Sequence, residues 1–510
     1  MTFKSILFPS KPEDCQTTDQ LPTFFSDLNL DQVVDTITKG KQEYKLACFF
    51  YSPLQEKDAI IYRQEVFRDL ENEAIFKSIE EFAKKMILVR RYLSVAEKSH
   101  YPFHEMGWHL EAVLEYCEAI KKFKEDLSQS ELQSQGLKDL ASWLKQYHQS
   151  KTFKSFNQEA LDTKSKLKSI QYNVIIKDLS VWVRKFDSEQ DYNPIVKDFF
   201  SKFDHSEVKD FRVDLEITSG MNHVEAKILN FVAKIFQKEF DQLTQFSEKY
   251  QTFIDETIKK FDREIQFFVA YLGFIQRIRS FGLSFCFPEV NLNEKAIYAK
   301  ETFDIALADK HRREEKEIIP NDFFLEGDER IFIVSGANQG GKTTFARMLG
   351  QLHYLASLGC PVPGREATTF LFDQIFTHFE QEEDIQNLRG KLKDDLVRIF
   401  HILNQATSKS IIIMNEIFTS TSLHDARYLS KMILEKIMDI DAISVCVTFI
   451  DELATLGKQT VSLVSTVDPD NPAIRTFKLI RKPADGRAYA LDVARQHQLT
   501  HTLIKERIKP

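Results

Sequence analysis

The 510-residue chain predicts two structural classes in series: a helical N-terminal region, then a C-terminal α/β domain built around a phosphate-binding loop. Three observations predict it. Nine of the sixteen glycines fall after residue 330, leaving the first two-thirds glycine-poor and rich in Phe, Leu, Lys and Glu, a helical composition. Residues 331–344 read IFIVSGANQGGKTT: an apolar run, a G-x-x-x-x-G-K-[ST] loop, and then helix-competent sequence. Residues 411–416 read Ile-Ile-Ile-Met-Asn-Glu, a continuous apolar run of the kind found in a strand buried on both faces.

In chain order, residues 1–40 are an N-terminal extension and residues 41–285 a helical domain. Within the latter, YNVIIKDLSVWVRKFD (172–187) alternates Leu179, Val181 and Val183 with Ser180 and Trp182, the pattern of a half-exposed strand. Lys177, Arg184 and Lys185 could contact phosphates there. However, residues 150–219 carry about equal basic and acidic counts, which favours a solvated face. From Met221 to Leu272 there is no Gly or Pro. Apolar residues recur at Ile254, Ile258, Phe261, Ile265, Phe268, Leu272 and Ile275, a seam of period ~3.5. One helix over those 52 residues would span roughly 78 Å, longer than a domain is wide. Residues 286–510 complete the chain as the α/β domain.

The loop chemistry follows from residue types. Glycines let the backbone wrap closely enough to aim N–H groups at phosphate oxygens, and the following helix N-terminus adds partial positive charge. The nucleotide-binding candidates are therefore Gly336, Ala337, Asn338, Gln339, Gly340, Gly341, Lys342, Thr343 and Thr344. Lys342 would neutralise the β/γ-phosphates of ATP, and Thr343 would offer its hydroxyl to Mg²⁺. A strand over 411–416 would deliver Asn415 and Glu416 to the C-terminal edge of a parallel sheet, where ligands of α/β folds bind. The first of these, usually an acid that helps hold Mg²⁺, is an amide; Glu416 remains to polarise an attacking water. Thr343, Asn415 and Glu416 are the candidate metal residues, and Glu416 the candidate catalytic one.

Several stretches carry a family resemblance. The loop G-A-N-Q-G-G-K-T-T resembles the G-P-N-M-G-G-K-S-T of the MutS family of DNA mismatch-repair ATPases. Asn415-Glu416-Ile-Phe-Thr-Ser-Thr421-Ser422-Leu-His-Asp425-Ala is similar to that family's D-E-I-G-R-G-T-S-T-x-D-G. Ile319-Pro-Asn321-Asp322 is similar to its V-P-N-D, and Tyr489-Ala-Leu-Asp-Val493-Ala494-Arg495 to its S-Y-G-I-x-V-A-R. Upstream, Pro53-Leu54, Ile60 and Arg63-Gln64 resemble the P-L…I-x-x-R-Q that opens the family's helical lever domain. The likeness covers roughly residues 40–510.

The resemblance implies an ABC-like ATPase domain behind an all-α lever with a clamp inserted around 165–220. It implies a homodimer that sandwiches ATP and whose nucleotide state gates engagement of DNA, in mismatch repair or a related repair or recombination process. It places Ser422 and Asp425 in the loop through which subunits communicate at the nucleotide, and makes Ile318 and Ile319 candidates for adenine contact. Departures accompany it. The family's S-T-F-x-x-E, which reaches the partner's γ-phosphate, aligns with Gly390-Lys391-Leu392-Lys-Asp-Asp395, where Lys391 offers a cation in place of the Ser. The His that senses the γ-phosphate in A-T-H-x-x-E-L is Phe449. With Asn415, three positions around one phosphate are altered, which predicts slow hydrolysis. About forty residues precede the lever-like segment, so a core-only member without the mismatch-reading domain is expected, ending without the helix-turn-helix extension.

Composition bounds the rest. Sixty-eight basic against 76 acidic residues give a net −8, so no global field draws the chain to nucleic acid. Six cysteines without a C-x-x-C suggest neither a disulfide framework nor a zinc site. No apolar run approaches the ~18 residues needed to span a bilayer, and the N-terminus lacks a signal-peptide core, so a cytoplasmic protein with no membrane partner is expected. Two rival readings stay open: a nucleotide-gated binding protein with little turnover, and an ATPase of the same design whose partner is a protein.

Overall fold

The computed structural model describes residues 3–9, 19–178, 180–187, 220–380, 390–469, 471, 474–484, 499, 504 and 505. The chain forms two compact units. Residues 70–132 and 137–262 belong to one, and residues 4–69, 133–136 and 263 onward to the other. The expected boundaries at 40/41 and 285/286 differ from these, and the reason is packing. The backbone N–H of Leu54 donates to Ser357 O (3.0 Å), and Arg63, 1% exposed, donates from Nη1 to Leu358 O (3.1 Å) and from Nε to Leu7 O (2.9 Å). The Pro53…Arg63 segment is thus tied to the end of the phosphate-loop helix.

The first unit is mainly helical. Glu73–Glu97 and Pro102–Gln129 pair through the stacked rings of Phe82 and Phe123, 4.4 Å apart. Each start is marked in the sequence: Asn72 accepts from Ala74 N, and Pro102 occupies the first turn, where a missing N–H costs nothing. The region is not wholly α. Tyr172–Lys177 and Ser180–Lys185 form an antiparallel hairpin, with Ile175 opposite Trp182 and Trp182 64% exposed. Lys177, Arg184 and Lys185 are exposed on it, and Lys185 Nζ lies over the Phe236 ring at 5.5 Å. Most of the segment where a clamp was expected lies outside the described residues.

The expected single helix over 221–272 is three: His223–Ile235, Gln237–Lys249 and Glu256–Arg279. A complete capping box at Asn222 and Glu225 starts the first. Between the second and third, Phe253 packs edge-on to His109 and Tyr116, and Asp255 accepts from Thr257 N (2.8 Å) to restart the helix. Aromatic burial and a side-chain cap interrupt a run that contains no Gly or Pro. From Ile258 onward the apolar seam is buried as its period requires.

The second unit holds a six-stranded sheet in the order 375–379, 411–415, 443–447, 331–336, 460–467, 475–481. The first five strands are parallel and the last is an antiparallel edge. Ile331–Gly336 and Ile411–Asn415 are buried nearly throughout, which is why both read as unbroken apolar runs. Lys342–Ser357 follows the loop as a helix buried along most of its length. A smaller four-stranded sheet, ordered 289–291, 366–370, 297–302, 321–325, stands in the same unit. The architecture is the mixed helix-and-sheet arrangement expected of the C-terminal part.

Candidate functional site

The loop from Gly336 to Gly341 leaves the strand 331–336 and enters the helix 342–357. Gly336 has φ 104°, and a Cβ there would meet Ser465 Oγ at 2.7 Å and Ser465 O at 2.8 Å. A Cβ at Gly340 would meet the same Ser465 Oγ at 2.6 Å. Both glycines are thus required by the adjoining strand 460–467, in addition to any phosphate. Gln339 also takes a left-handed φ of 60°, and Ala337 is buried. Lys342 is 5% exposed and donates from Nζ to Gly336 O (2.9 Å) and Asn338 Oδ1 (3.1 Å). Burial lowers its pKa, with Glu416 and Asp451 opposing and Arg475 adding to the shift. A desolvated cation folded back on its own loop is poised to exchange those carbonyl partners for a phosphate oxygen.

Thr343 Oγ1 donates to Asn415 Oδ1 at 2.9 Å, joining residues 72 apart in the chain. The sheet makes this contact by placing the end of the 411–415 strand beside the start of the loop helix. Glu416 follows in a left-handed conformation (φ 53°), its N–H donating to Val447 O (2.9 Å), so a non-glycine residue is held off the preferred regions at the sheet edge. Thr343, Asn415 and a carboxylate at 416 form a set of oxygen donors of the kind Mg²⁺ takes. Among the described residues no group of three or more His, Cys, Asp or Glu is placed to hold a metal ion.

A cavity of about 640 Å³ opens over the loop. Asn338, Gln339, Gly341, Lys342, Thr343, Thr344 and Glu416 line it. Ile318 and Ile319 line it too, with Phe303, Leu307, Met348 and Phe477 supplying further apolar surface. The volume and the split between cationic and apolar lining suit a ligand with a charged tail and a flat apolar head. Asp304, buried, caps the helix Ile305–Glu314 through Ala306 N and Leu307 N, and its carboxyl pKa is raised by burial. Gln351 Nε2 donates to Asp304 Oδ1 (2.8 Å), tying that cap to the loop helix.

The remaining expectations fare differently. Ser422 and Asp425 do not line the cavity. Ser422 Oγ donates to Asp425 Oδ2 (2.8 Å) and accepts from Asp425 N (3.2 Å), which caps the helix Leu423–Ile440. Lys391 is paired with Glu380, which also accepts from Thr419 Oγ1, and Asp395 faces the buried His378 at 3.2 Å. Phe449 follows the strand 443–447 with 51% of its surface exposed. The Tyr489–Arg495 motif lies outside the described residues. Sequence reasoning missed Phe303, Leu307, Ser465 and Phe477, because nothing local marks them. Asn321 was legible only as part of a motif: it donates to Phe477 O (3.0 Å) and accepts from Leu479 N (2.8 Å), clamping the edge strand beside the loop.

Residues 332–509 match the family model described as MutS domain V. Over 303 residues the chain is 27% identical to the DNA mismatch repair protein MutS of Bacillus cytotoxicus, covering 56% of this chain and 32% of that protein. It is 26% identical over 306 residues to the protein of the same name from Geobacillus sp. (57% and 33%). The Halalkalibacterium halodurans protein is 27% identical over 293 residues (54% and 32%). The chain thus spans about a third of the length of the curated relatives it matches.

Proposed function

We propose, from this chain's membership of the MutS family, that it is an ATP-dependent DNA-binding protein whose nucleotide state gates its hold on DNA. The observation that carries the nucleotide part is that Lys342, Thr343 and Glu416 line one cavity, with Asn415 bonded to Thr343 behind it. Phosphate-loop N–H groups and Lys342 bind the triphosphate, Ile318 and Ile319 bound the base, and Glu416 orients and deprotonates the attacking water. Thr343 and Asn415 would hold Mg²⁺, which supplies charge neutralisation at the phosphoryl oxygens. Pairing of two copies, with Ser422 and Asp425 facing the partner's nucleotide, and engagement of DNA complete the reading. ATP shifts the open–closed equilibrium only by as much as it binds the two states differently.

A second reading, a nucleotide-gated binder with little turnover, is favoured by one contact. The Thr343 hydroxyl is satisfied by a neutral amide where a carboxylate would add negative charge beside the metal. Single-turnover hydrolysis of radiolabelled ATP separates the two: activity abolished by Glu416→Ala supports the enzyme, and no activity in the parent chain supports the gate. DNA binding is tested with duplex, branched and single-stranded probes at several salt concentrations, with and without ATP. Phosphate contacts require log K to fall linearly with log salt. A salt-independent or absent interaction would point to a protein partner, in keeping with the net charge of −8.

A further inference from the structure

The loop that carries Glu416 is held in an unfavourable shape. Glu416 has φ 53° and Phe418 φ 60°, so two non-glycine residues stand in the left-handed region, where the Cβ crowds the backbone. From the inside, burial holds them. Ile417 and Phe418 are 4% and 1% exposed and belong to the core cluster of Ile399, Ile412, Met414 and Ala426. Thr419, the next residue, is exposed and gains no such support. A hydrogen bond holds it instead.

Strand 375–379 runs parallel beside 411–415 with Phe379 opposite Asn415. Glu380 and Glu416 are therefore the first residues past two adjacent strand ends. Thr419 Oγ1 donates to Glu380 Oε1 at 3.1 Å. Lys391, the first residue of the helix Lys391–Gln405, pairs with the same oxygen. Lys391 and then Thr419 hold the Glu380 carboxyl below its ordinary range, with burial and Asp395 opposing. An ionised acceptor makes the stronger hydrogen bond. Glu380 does not line the cavity over the phosphate loop, whereas Glu416 does. An exposed ion pair adds little to global stability, so the effect of this one is local. Strained segments fixed by their surroundings cluster at functional sites.

We propose that Glu380 is a positioning residue for Glu416: by holding Thr419 it fixes the strained loop and keeps the Glu416 carboxylate aimed into the cavity. Lys391 keeps the Glu380 carboxylate on Thr419 and offsets its charge beside Glu416. This rests on the hydrolytic reading of Glu416 and adds a residue that acts through it. A small misplacement of a catalytic group lowers the rate of the chemical step without weakening the hold on the phosphates, which the loop and Lys342 provide.

The test separates binding from turnover on the full chain, with ATP affinity read by calorimetry and hydrolysis by single turnover at saturating ATP. Glu380→Ala is expected to lower the hydrolysis rate about tenfold, with ATP affinity within about twofold of the parent and the thermal midpoint little changed. Glu380→Gln keeps an oxygen acceptor for Thr419 and retains most of the rate. Thr419→Val keeps the shape and removes the hydroxyl, so it loses rate as Glu380→Ala does. The double variant loses no more than either, because both break one contact. Parent-like hydrolysis in Glu380→Ala overturns the proposal. So does an equal loss of ATP affinity, which would make Glu380 a general support of the site. Loss of rate in Lys391→Ala with none in Thr419→Val overturns it too, and would make the ion pair an anchor for the helix 391–405. A parent chain that binds ATP without hydrolysing it overturns the hydrolytic role of Glu416, and this proposal with it, while leaving the nucleotide site in place.

Discussion

Gly336→Ala is the perturbation that most directly tests why the loop has its residue types. The backbone sits at φ 104°, and an added Cβ would stand 2.7 Å from Ser465 Oγ, 2.8 Å from Ser465 O and 3.0 Å from Ser465 N. Forcing a side chain into that backbone region costs about 1–3 kcal/mol, and overpacking against rigid backbone a further ~1–3 kcal/mol. A loss of about 2–6 kcal/mol is expected, and ATP affinity falls with it because the loop must move. Gly340→Ala is the comparison, since its φ is not positive and its main clash is with the Ser465 hydroxyl at 2.6 Å. Its cost is about 1–3 kcal/mol, from overpacking alone. In a Ser465→Ala background the hydroxyl is gone, so the Gly340→Ala cost drops by at least about 1 kcal/mol while the Gly336→Ala cost persists. Urea midpoints at constant slope and ATP titration calorimetry read both effects. A Gly336→Ala protein within about 1 kcal/mol of the parent and with unchanged ATP affinity refutes the reasoning. Equal rescue of both alanine variants by Ser465→Ala would refute it too.

Four further outcomes are expected. Lys342→Ala removes the two loop hydrogen bonds and the only lysine that lines the cavity among the described residues; ATP affinity falls about a hundredfold by calorimetry with the thermal midpoint little changed. Burial lowers the Lys342 pKa, so a neutral amine forms at a pH below the ordinary lysine value and parent ATP affinity declines on that alkaline limb, whereas in Lys342→Arg it does not. Asn415→Asp keeps an acceptor for Thr343 and adds a charge; the metal outweighs repulsion with Glu416, so steady-state turnover with DNA present rises roughly tenfold, about 1.4 kcal/mol, and the Mg²⁺ midpoint falls, and if neither moves Asn415 is not a metal-site residue. His353 is fully buried, bonds Leu349 O through Nδ1, and is pushed down to about 4 by burial. Its neutral form is favoured by folding, so stability is full above the unfolded value and is lost as pH falls from there toward 4. Unfolding in urea at pH 5 should read about 2 kcal/mol less stable than at pH 7 from this group, a difference that His353→Leu removes.

What the sequence determined by itself was chemistry confined to a few neighbouring residues. The run from Gly336 to Thr343 is legible because phosphate binding, a tight turn and a helix start all act within eight residues. The strand ending at Asn415 is legible because burial on both faces removes every polar residue from it. Capping residues such as Asn222 also act locally, through the turn they start. The long helix was misread because composition reports what a segment can form, while the turn at 250–255 is made by Phe253 entering an aromatic cluster with residues far away in sequence. Likewise, no local pattern unites Pro53–Arg63 with the helix that follows the loop; carbonyl acceptors at 357 and 358 do. Tertiary structure alone decided the pairing of Thr343 with Asn415, the double constraint of Ser465 on two loop glycines, and the tie from Glu380 to the loop after Glu416. Those features depend on strand order and register, which arise only when distant segments compete for one core, and that competition leaves no periodic trace in any one of them.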